Sequence, residues 1–410
     1  MTNNTKPTAA KDGEKPGLMP KLRFLELRAT GWIQKKLEDV APLQRGFDLP
    51  SDLIRPGNIP IVYSNGIQKY HEVGMATAPG LVTGRSGTIG KLHFIESGDY
   101  WPHNTSLWVT SFNGNVPRFV FYLYDSIGMS RFSSGSGVPT LNRNDVHAFG
   151  VSIPSSSAEQ QKVADCLSSL DELIAAQARK VDALKTHKKG LMQQLFPREG
   201  ETQPRLRFSD FKCASHWRRE TIGSVASFSS GGTPSKANPE YWNGSIPWVS
   251  ASSMYDLVID KADHYVTPAA IGNGTKIAKK GSVLILVRGS MLFKRVPICI
   301  AGVDVAFNQD VKALDVDASI NANFLLYQLL AFQDRLSINE TGIGAGKIEL
   351  DHLKGFVLFI PDSPEQQHIA SFLTSLDALI ADETQKLEAL KTHKKGLMQQ
   401  LFPSPDEATA

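Results

Sequence analysis

Apolar positions along this chain follow two different rules. In residues 159–197 they recur at alternating steps of four and three: Val163, Leu167, Leu170, Ile174, Val181, Leu184, Leu191 and Leu195, interrupted only by Gln177 and Lys188. Residues 365–403 repeat the pattern at Ile369, Leu373, Leu376, Ile380, Leu387, Leu390, Leu397 and Leu401, with Glu383 and Lys394 in two of the slots. A 4-3 spacing is the seam of a coiled coil and predicts a long helix in each stretch. Each helix has a start after an apolar run closed by proline (Pro154, Pro361) and a stop at Leu-Phe-Pro (Pro197, Pro403). A helix of this length spans about 58 Å at about 1.5 Å per residue. It cannot bury its stripe alone, so the simplest arrangement pairs the two copies.

The two helices are copies in sequence as well as in pattern. At an offset of 206 they agree at 27 of 39 positions, and the last 15, ALKTHKKGLMQQLFP, are identical. A period this long marks a duplicated module, not a solenoid array.

Outside the helices the pattern changes. Residues 20–158 and 198–364 hold short β-rich runs (IPIVYS, GLVTG, SLWVT, SVLILV, ICIAG) punctuated by Gly, Ser, Asn and Pro. They are predicted to be two globular domains of mixed α/β class. Their openings correspond (PKLRFLEL with Trp32, PRLRFSDF with Trp217), as do their closings (GVPTLNRNDVHAFGVSIP, GAGKIELDHLKGFVLFIP), and the middles do not align. The predicted order is a disordered tail over 1–19, domain one over 20–158, helix one over 159–197, domain two over 198–364, helix two over 365–403 and a tail over 404–410. Trp32, Trp217, Trp242 and Trp248 are expected in cores.

Charge narrows the function classes. Lys plus Arg number 44 against 41 for Asp plus Glu, a net charge of +3. That excess is too small for a general polyanion binder, so any nucleic-acid contact must be local. Neither helix is a DNA-neutralising surface: the first holds six basic and five acidic residues, the second four and five. The identical stretch KTHKKGLMQQLF instead repeats exposed lysines and a glycine (Gly190, Gly396), which suggests two identical partners on a pseudo-symmetric scaffold. Cys166, Cys213 and Cys299 have no metal or disulfide spacing, and a reducing cytoplasm is expected. No membrane span is expected.

Three strings look catalytic and fail on detail. Asn238-Pro239-Glu240-Tyr241 lacks the second proline of an amino-methyltransferase signature, and Gly342 to Lys347 is followed by Ile348 where a phosphate loop needs Ser or Thr. Pro361-Asp362 lacks the downstream Glu-x-Lys of a nuclease. No metal site and no coherent active site is predicted.

Two divergent domains, each followed by a near-identical helix that opens at Glu-Gln-Gln and closes at K-G-L-M-Q-Q-L-F-P, resemble the specificity subunits of type I restriction-modification systems over residues 20–403. The domains themselves carry IPIVYSNGIQKY and VTGRSGTIGKL in the first, SSGGTPSKANPEYWNGSIPWVSAS and ILVRGSM in the second. The resemblance implies a non-catalytic subunit. Each domain would read one half of an asymmetric bipartite double-stranded DNA site, and the helices would pack antiparallel as a spacer. It further implies two methyltransferase subunits docked on the chain, restriction subunits joining them, and S-adenosylmethionine, ATP and Mg²⁺ held by those partners. The alternatives are a coiled-coil adaptor without a DNA role and a recognition adaptor of another methyltransferase system.

Base readout needs Arg, Lys, Asn, Gln and Ser on loops, where their donors and acceptors meet base edges. In domain one the candidates are Ser64, Asn65, Gly66 and Gln68 after a strand-like run, then Arg85, Ser86, Thr88 and Lys91 in a Gly-rich turn. In domain two they are Ser250, Ser252 and Ser253, then Arg288, Ser290 and Lys294, with Asn308, Gln309 and Lys347 in addition.

Overall fold

A computed structural model describes residues 16–134, 139–198, 200–341 and 344–403. It divides the chain into two compact units: the stretch up to Ala178 together with that from Gln385 on, and Arg179–Thr384. The unit boundary therefore falls inside each long helix. Gly342 and Ile343 of the glycine-rich decoy, Gly137 and Val138 of the first closing motif, residues 1–15 and residues 404–410 lie outside the described residues.

The first unit holds strands β1 (Trp32–Lys36), β2 (Leu43–Arg45), β3 (Ile59–Tyr63), β4 (Gly66–His71), β5 (Ala76–Thr77) and β6 (Gly80–Gly84). They are followed by β7 (Leu92–Ile95), β8 (Asp99–Pro102), β9 (Ser106–Val109), helix α1 (Pro117–Ile127), strand β10 (Gly150–Pro154) and the start of helix α2 (Ser157–Leu195). Two four-stranded sheets form, in the orders β4-β3-β8-β5 and β2-β9-β6-β7, and β1 pairs antiparallel with β10.

The second unit repeats this plan with β11 (Arg218–Thr221), β12 (Ala226–Ser230), β13 (Trp242–Val249), β14 (Val258–Ile259), β15 (His264–Val266) and β16 (Lys276–Ala278). Then come β17 (Val283–Leu286), β18 (Ile298–Ala301), β19 (Val305–Phe307), β20 (Val311–Val316), α3 (Ala322–Ala331), β21 (Val357–Ile360) and α4 (Ser363–Leu401). Its sheets run β15-β13-β19-β16 and β12-β20-β17-β18-β14, and β11 pairs with β21. The parallel pair β3·β8 has its counterpart in β13·β19. Trp32, Trp217 and Trp248 are buried, and Trp242 is half-buried at the edge of a small cluster around Trp248.

Both long helices begin two residues before the predicted start and end two before the predicted stop. Ser157 and Ser363 open them, and Pro364 sits in a first turn where its missing N–H costs nothing. At the other end Phe196 and Phe402 precede prolines, and a residue before proline is pushed out of the helical region, so Leu195 and Leu401 are the last helical residues.

In each unit the start of one long helix lies antiparallel to the end of the other. Val163 and Leu167 share a core cluster with Leu397 and Leu401, while Leu373 and Leu376 share one with Leu191 and Leu195. Leu167, Val181, Leu195, Leu373, Leu387 and Leu401 are buried; Leu170, Ile174, Leu184, Leu191, Leu376, Ile380, Leu390 and Leu397 are half-buried. Each fully buried leucine adds roughly 2 kcal/mol. The polar slots are ion-pair positions. Lys394 donates to Asp171 (2.6 Å) and Lys188 to Asp377 (2.5 Å), and the hydroxyls of Tyr122 and Tyr327 donate to the same two carboxylates. Glu383 is buried and pairs with Lys180 at 3.0 Å.

The Glu-Gln that opens each helix ties it to its globular part. Glu159, 1% exposed, receives the Arg23 guanidinium (2.6 and 2.8 Å) and the Trp32 indole N–H (3.1 Å). Glu365, also 1% exposed, receives Arg207 at 2.7 and 2.8 Å. Gln160 and Gln366 each accept a backbone N–H, from Val116 and Asn321, and each donates to the carbonyl of the strand-closing proline. The expected lead-in over 1–19 is corrected at its end. Pro16 bridges to Ile33, the Gly17 amide donates to Trp32 O, and the Leu18 amide donates to Ser152 Oγ, so the chain is already part of the fold there.

Candidate nucleic-acid interface

In the first unit the carboxyl ends of β3, β6 and β8 meet, and the loops that follow them are laced together by main-chain hydrogen bonds. The His103 amide donates to Val62 O (3.0 Å), the amides of Arg85 and Ser86 to Thr105 O (2.8 and 3.2 Å), and the Leu141 amide to Arg85 O (2.8 Å). The Ser64 amide reaches Thr105 Oγ1, and Lys91 Nζ donates to Asn65 O (3.2 Å). Gly84 is required: a Cβ there would stand 1.7 Å from Thr88 O. Ser64, Asn65, Gly66, Arg85, Ser86, Thr88 and Lys91 are thus brought to one tip. Gln68 is exposed further along β4, outside this group.

The second unit builds its tip with the same bonds. The Asn308 amide donates to Val249 O (3.0 Å), Val287 to Asp310 O (2.8 Å) and Ile348 to Val287 O (2.8 Å). This lattice sets up a correspondence no alignment of the middles provides. Tyr63 matches Ser250, His103 matches Asn308, Asn104 matches Gln309 and Thr105 matches Asp310. Arg85 matches Val287, so the partner of Arg288 is Ser86. Both sit on cross-strand pairs, Ser86 opposite Thr140 and Arg288 opposite Lys347. The two arginines look alike in sequence, each ending an apolar strand, and stand one position apart in structure.

Their environments differ accordingly. Arg85 is half-buried and its Nη1 donates to Asn104 O (3.4 Å), which braces the loop. Arg288 is exposed and makes no hydrogen bond or ion pair among the described residues. Lys347 pairs with Glu349 at 2.8 Å on the same ribbon. Several other candidates are engaged in the fold. Asn308 is buried and accepts the amides of Asp310 and Val311, Ser252 donates to Asp263, and Gln309 accepts from Thr233. Ser253 Oγ is buried without a hydrogen-bond partner among the described residues, Ser250 is half-buried against Ser252, and Ser290 and Lys294 are exposed on the turn after Arg288.

Tyr63, His103, Asn104 and Thr105 belong to the first tip and escaped the sequence reading. The rings of His103 and Tyr63 are in tilted contact, with centroids 4.3 Å apart, and burial holds the pKa of the His93 and His103 imidazoles below its ordinary value, which favours their uncharged forms. The signal was present as a polar His-Asn-Thr turn after an aromatic strand. Lys312 of the second tip, bonded to Ser230 Oγ and Gln309 O, was hidden inside a strand. Asn238 accepts the Glu240 amide, so the methyltransferase-like string is a capped turn. No helix among the described residues is long and apolar enough to cross a membrane.

The sequence matches the family described as "Type I restriction modification DNA specificity domain" twice, over residues 30–186 and 214–392, one match for each copy of this plan. The chain belongs to that family. Among curated relatives, the Escherichia coli type I restriction enzyme EcoR124I/EcoR124II specificity subunit is 31% identical over 41% of this chain and 43% of its own length. The Methanocaldococcus jannaschii MjaIX specificity subunit is 24% identical over 44% and 42%. The alignments thus span less than half of those relatives. The fold is shared with a type I restriction-modification S subunit from M. genitalium, with a TM-score of 0.60 at 15% identity over 94% of this chain and 99% of that one. A second neighbour, from a structure of type I complex assembly and conformational transition, gives 0.57 at 16% identity over 90% and 97%.

Proposed function

We propose that this chain is the non-catalytic DNA-reading subunit of a type I restriction-modification complex, each unit reading one half of an asymmetric bipartite site. The observation that carries it is the pair of tips. One set of main-chain hydrogen bonds builds both, and the side chains at matching positions differ in chemistry: Ser86 and Thr140 against Arg288 and Lys347. Equal frames with unequal polar side chains are what two half-sites of different sequence require. The long helices then set the spacing between half-sites. An adaptor without a DNA role predicts polar-neutral loops without paired arginine and glycine turns, and the turns at Arg85 and Arg288 count against it.

The repeated lysines offer the seats for two modification subunits. In the first unit Lys391, Lys394, Lys395, Met398 and Gln399 line a groove of about 660 Å³ beside Asp125 and Ser126 at the end of α1. In the second, Lys185, Lys188, Lys189, Met192 and Gln193 line one of about 410 Å³ beside Leu330 and Ala331 at the end of α3. The same five residue types in the same order suit two copies of one partner. Restriction subunits join through that assembly. S-adenosylmethionine, ATP and Mg²⁺ belong to the partners, and the complex works in the cytoplasm.

A genome-wide methylation map of cells with and without the gene tests the reading. The expected result is loss of methyl marks at one split, asymmetric motif on deletion. An unchanged map in cells with active modification subunits overturns it.

A further inference from the structure

Between β17 and β18 the second unit carries a longer turn than the matching one between β6 and β7 of the first. The sequence from Arg288 to Arg295, RGSMLFKR, places Phe293 in the open, 52% exposed, with Arg288, Lys294 and Arg295 exposed around it and no carboxylate in the stretch. The turn is held from below. Leu292 is buried in the core, Met291 packs against that core, and the amides of Lys294 and Arg295 both donate to Met291 O (2.9 and 3.0 Å). Arg295 Nη2 donates to Met254 O (2.8 Å) and its guanidinium lies 5.6 Å from the exposed Tyr255 ring. With Leu292 anchored inward, Phe293 has no way to fold back without breaking this lattice.

We propose that Phe293 is a wedge that enters the base stack of DNA at the second half-site, next to the base pair met by Arg288. The proposal rests on the reading of this tip as a DNA-facing surface. A rigid aromatic ring among cations is suited to a nucleic acid, because the ring stacks on a base while the cations neutralise the flanking phosphates. Lysine is depleted at the core of a protein–protein interface, whereas Lys294 stands exposed directly beside this ring. The matching loop of the first unit, Arg85 to Lys91, contains no aromatic residue, and its one large apolar side chain, Ile89, packs against the core. The distortion is therefore one-sided, and the second half-site is the one that is unstacked.

The test uses the full chain assembled with its modification subunits and duplexes carrying 2-aminopurine at successive purines of the second half-site, the base that carries the methyl mark excluded. Wild-type binding should raise fluorescence at one step. Phe293→Ala should return that signal to the free-duplex level and weaken specific binding by about tenfold, the loss of one aromatic–base stack. Phe293→Trp should keep the signal, which separates lost stacking from lost folding. Preference at the first half-site should stay intact. An unchanged signal in Phe293→Ala overturns the wedge and leaves the DNA reading standing. Loss of subunit assembly without DNA in Phe293→Ala overturns it in favour of a protein contact. Failure of the wild-type complex to prefer any sequence removes the DNA reading itself.

Discussion

Removing the Arg288 side chain should cost sequence preference and almost no stability. Its main chain is secured by pairing with Lys347, while the exposed guanidinium makes no hydrogen bond or ion pair among the described residues, so Arg288→Ala should shift unfolding by less than about 0.5 kcal/mol. On DNA the same group offers two parallel donors, the fork that matches guanine O6 and N7, and a lost bidentate pair costs about 1–3 kcal/mol, or roughly 5- to 150-fold. The assay is competition binding by the assembled complex against duplexes with every base at every position of the second half-site. Arg288→Ala should flatten preference at a single guanine and leave the first half-site untouched. Lys347→Ala, next to it on the ribbon, should instead weaken all sequences alike and lower the salt slope by about one. Uniform loss across all sequences in Arg288→Ala would make it a phosphate contact, and no loss at all would remove this ribbon from the DNA surface.

Three further outcomes are expected. Glu159→Gln leaves the buried Arg23 without its carboxylate and should destabilise the first unit by about 3 kcal/mol, with Glu365→Gln doing the same to the second; melting curves that move for only one variant would deny the two anchors equal roles. His147 accepts the Leu43 amide at 2.9 Å, and burial, then the Arg143 charge, holds its pKa below the ordinary 6.5. Its contribution to stability is full above 6.5 and is lost as pH falls through the lower folded value, so His147→Gln should flatten the fall in melting temperature between about pH 7 and pH 5, and an identical slope would refute this. Reversing charge at Lys391 and Lys395, both exposed, should reduce bound modification subunits from two to one by light scattering; two retained subunits would move the docking site elsewhere.

The helices were legible because their physics is local: a 4-3 apolar step over 39 residues, with proline at each end, leaves few other readings. Even the polar interruptions carried meaning, since Lys188, Lys394 and Glu383 are the charged partners of Asp377, Asp171 and Lys180. What the helix openings do was hidden. Glu159 reads as a start signal, and its role as a buried anchor depends on Arg23, 136 residues upstream. The tips were half legible for the same reason. Loops rich in Gly, Ser and Asn announce themselves, but which residue of one loop matches which of the other is decided by main-chain bonds between segments far apart, such as Arg85 with Thr105 and Leu141. Candidates chosen by residue type alone therefore mixed free side chains such as Arg288 with ones committed to the fold such as Asn308.

That division explains why the two copies agree where they do. The frame depends on side chains: the Arg–Glu anchors, the Gln contacts and the Lys–Asp–Tyr clusters each leave a buried charge or an unpaired amide if one partner changes, at a cost of a few kcal/mol. The tip depends on backbone: Val62, Thr105, Val249, Asp310 and Val287 are joined through amides and carbonyls that any residue but proline supplies. A frame that resists substitution and a tip that tolerates it let the side chains of each unit's tip change without disturbing its frame. The buried positions at which the near-identical helices agree, and the unalignable loops, reflect that difference between contacts made by side chains and contacts made by the main chain, while the repeated exposed lysines match the paired seats proposed for one partner.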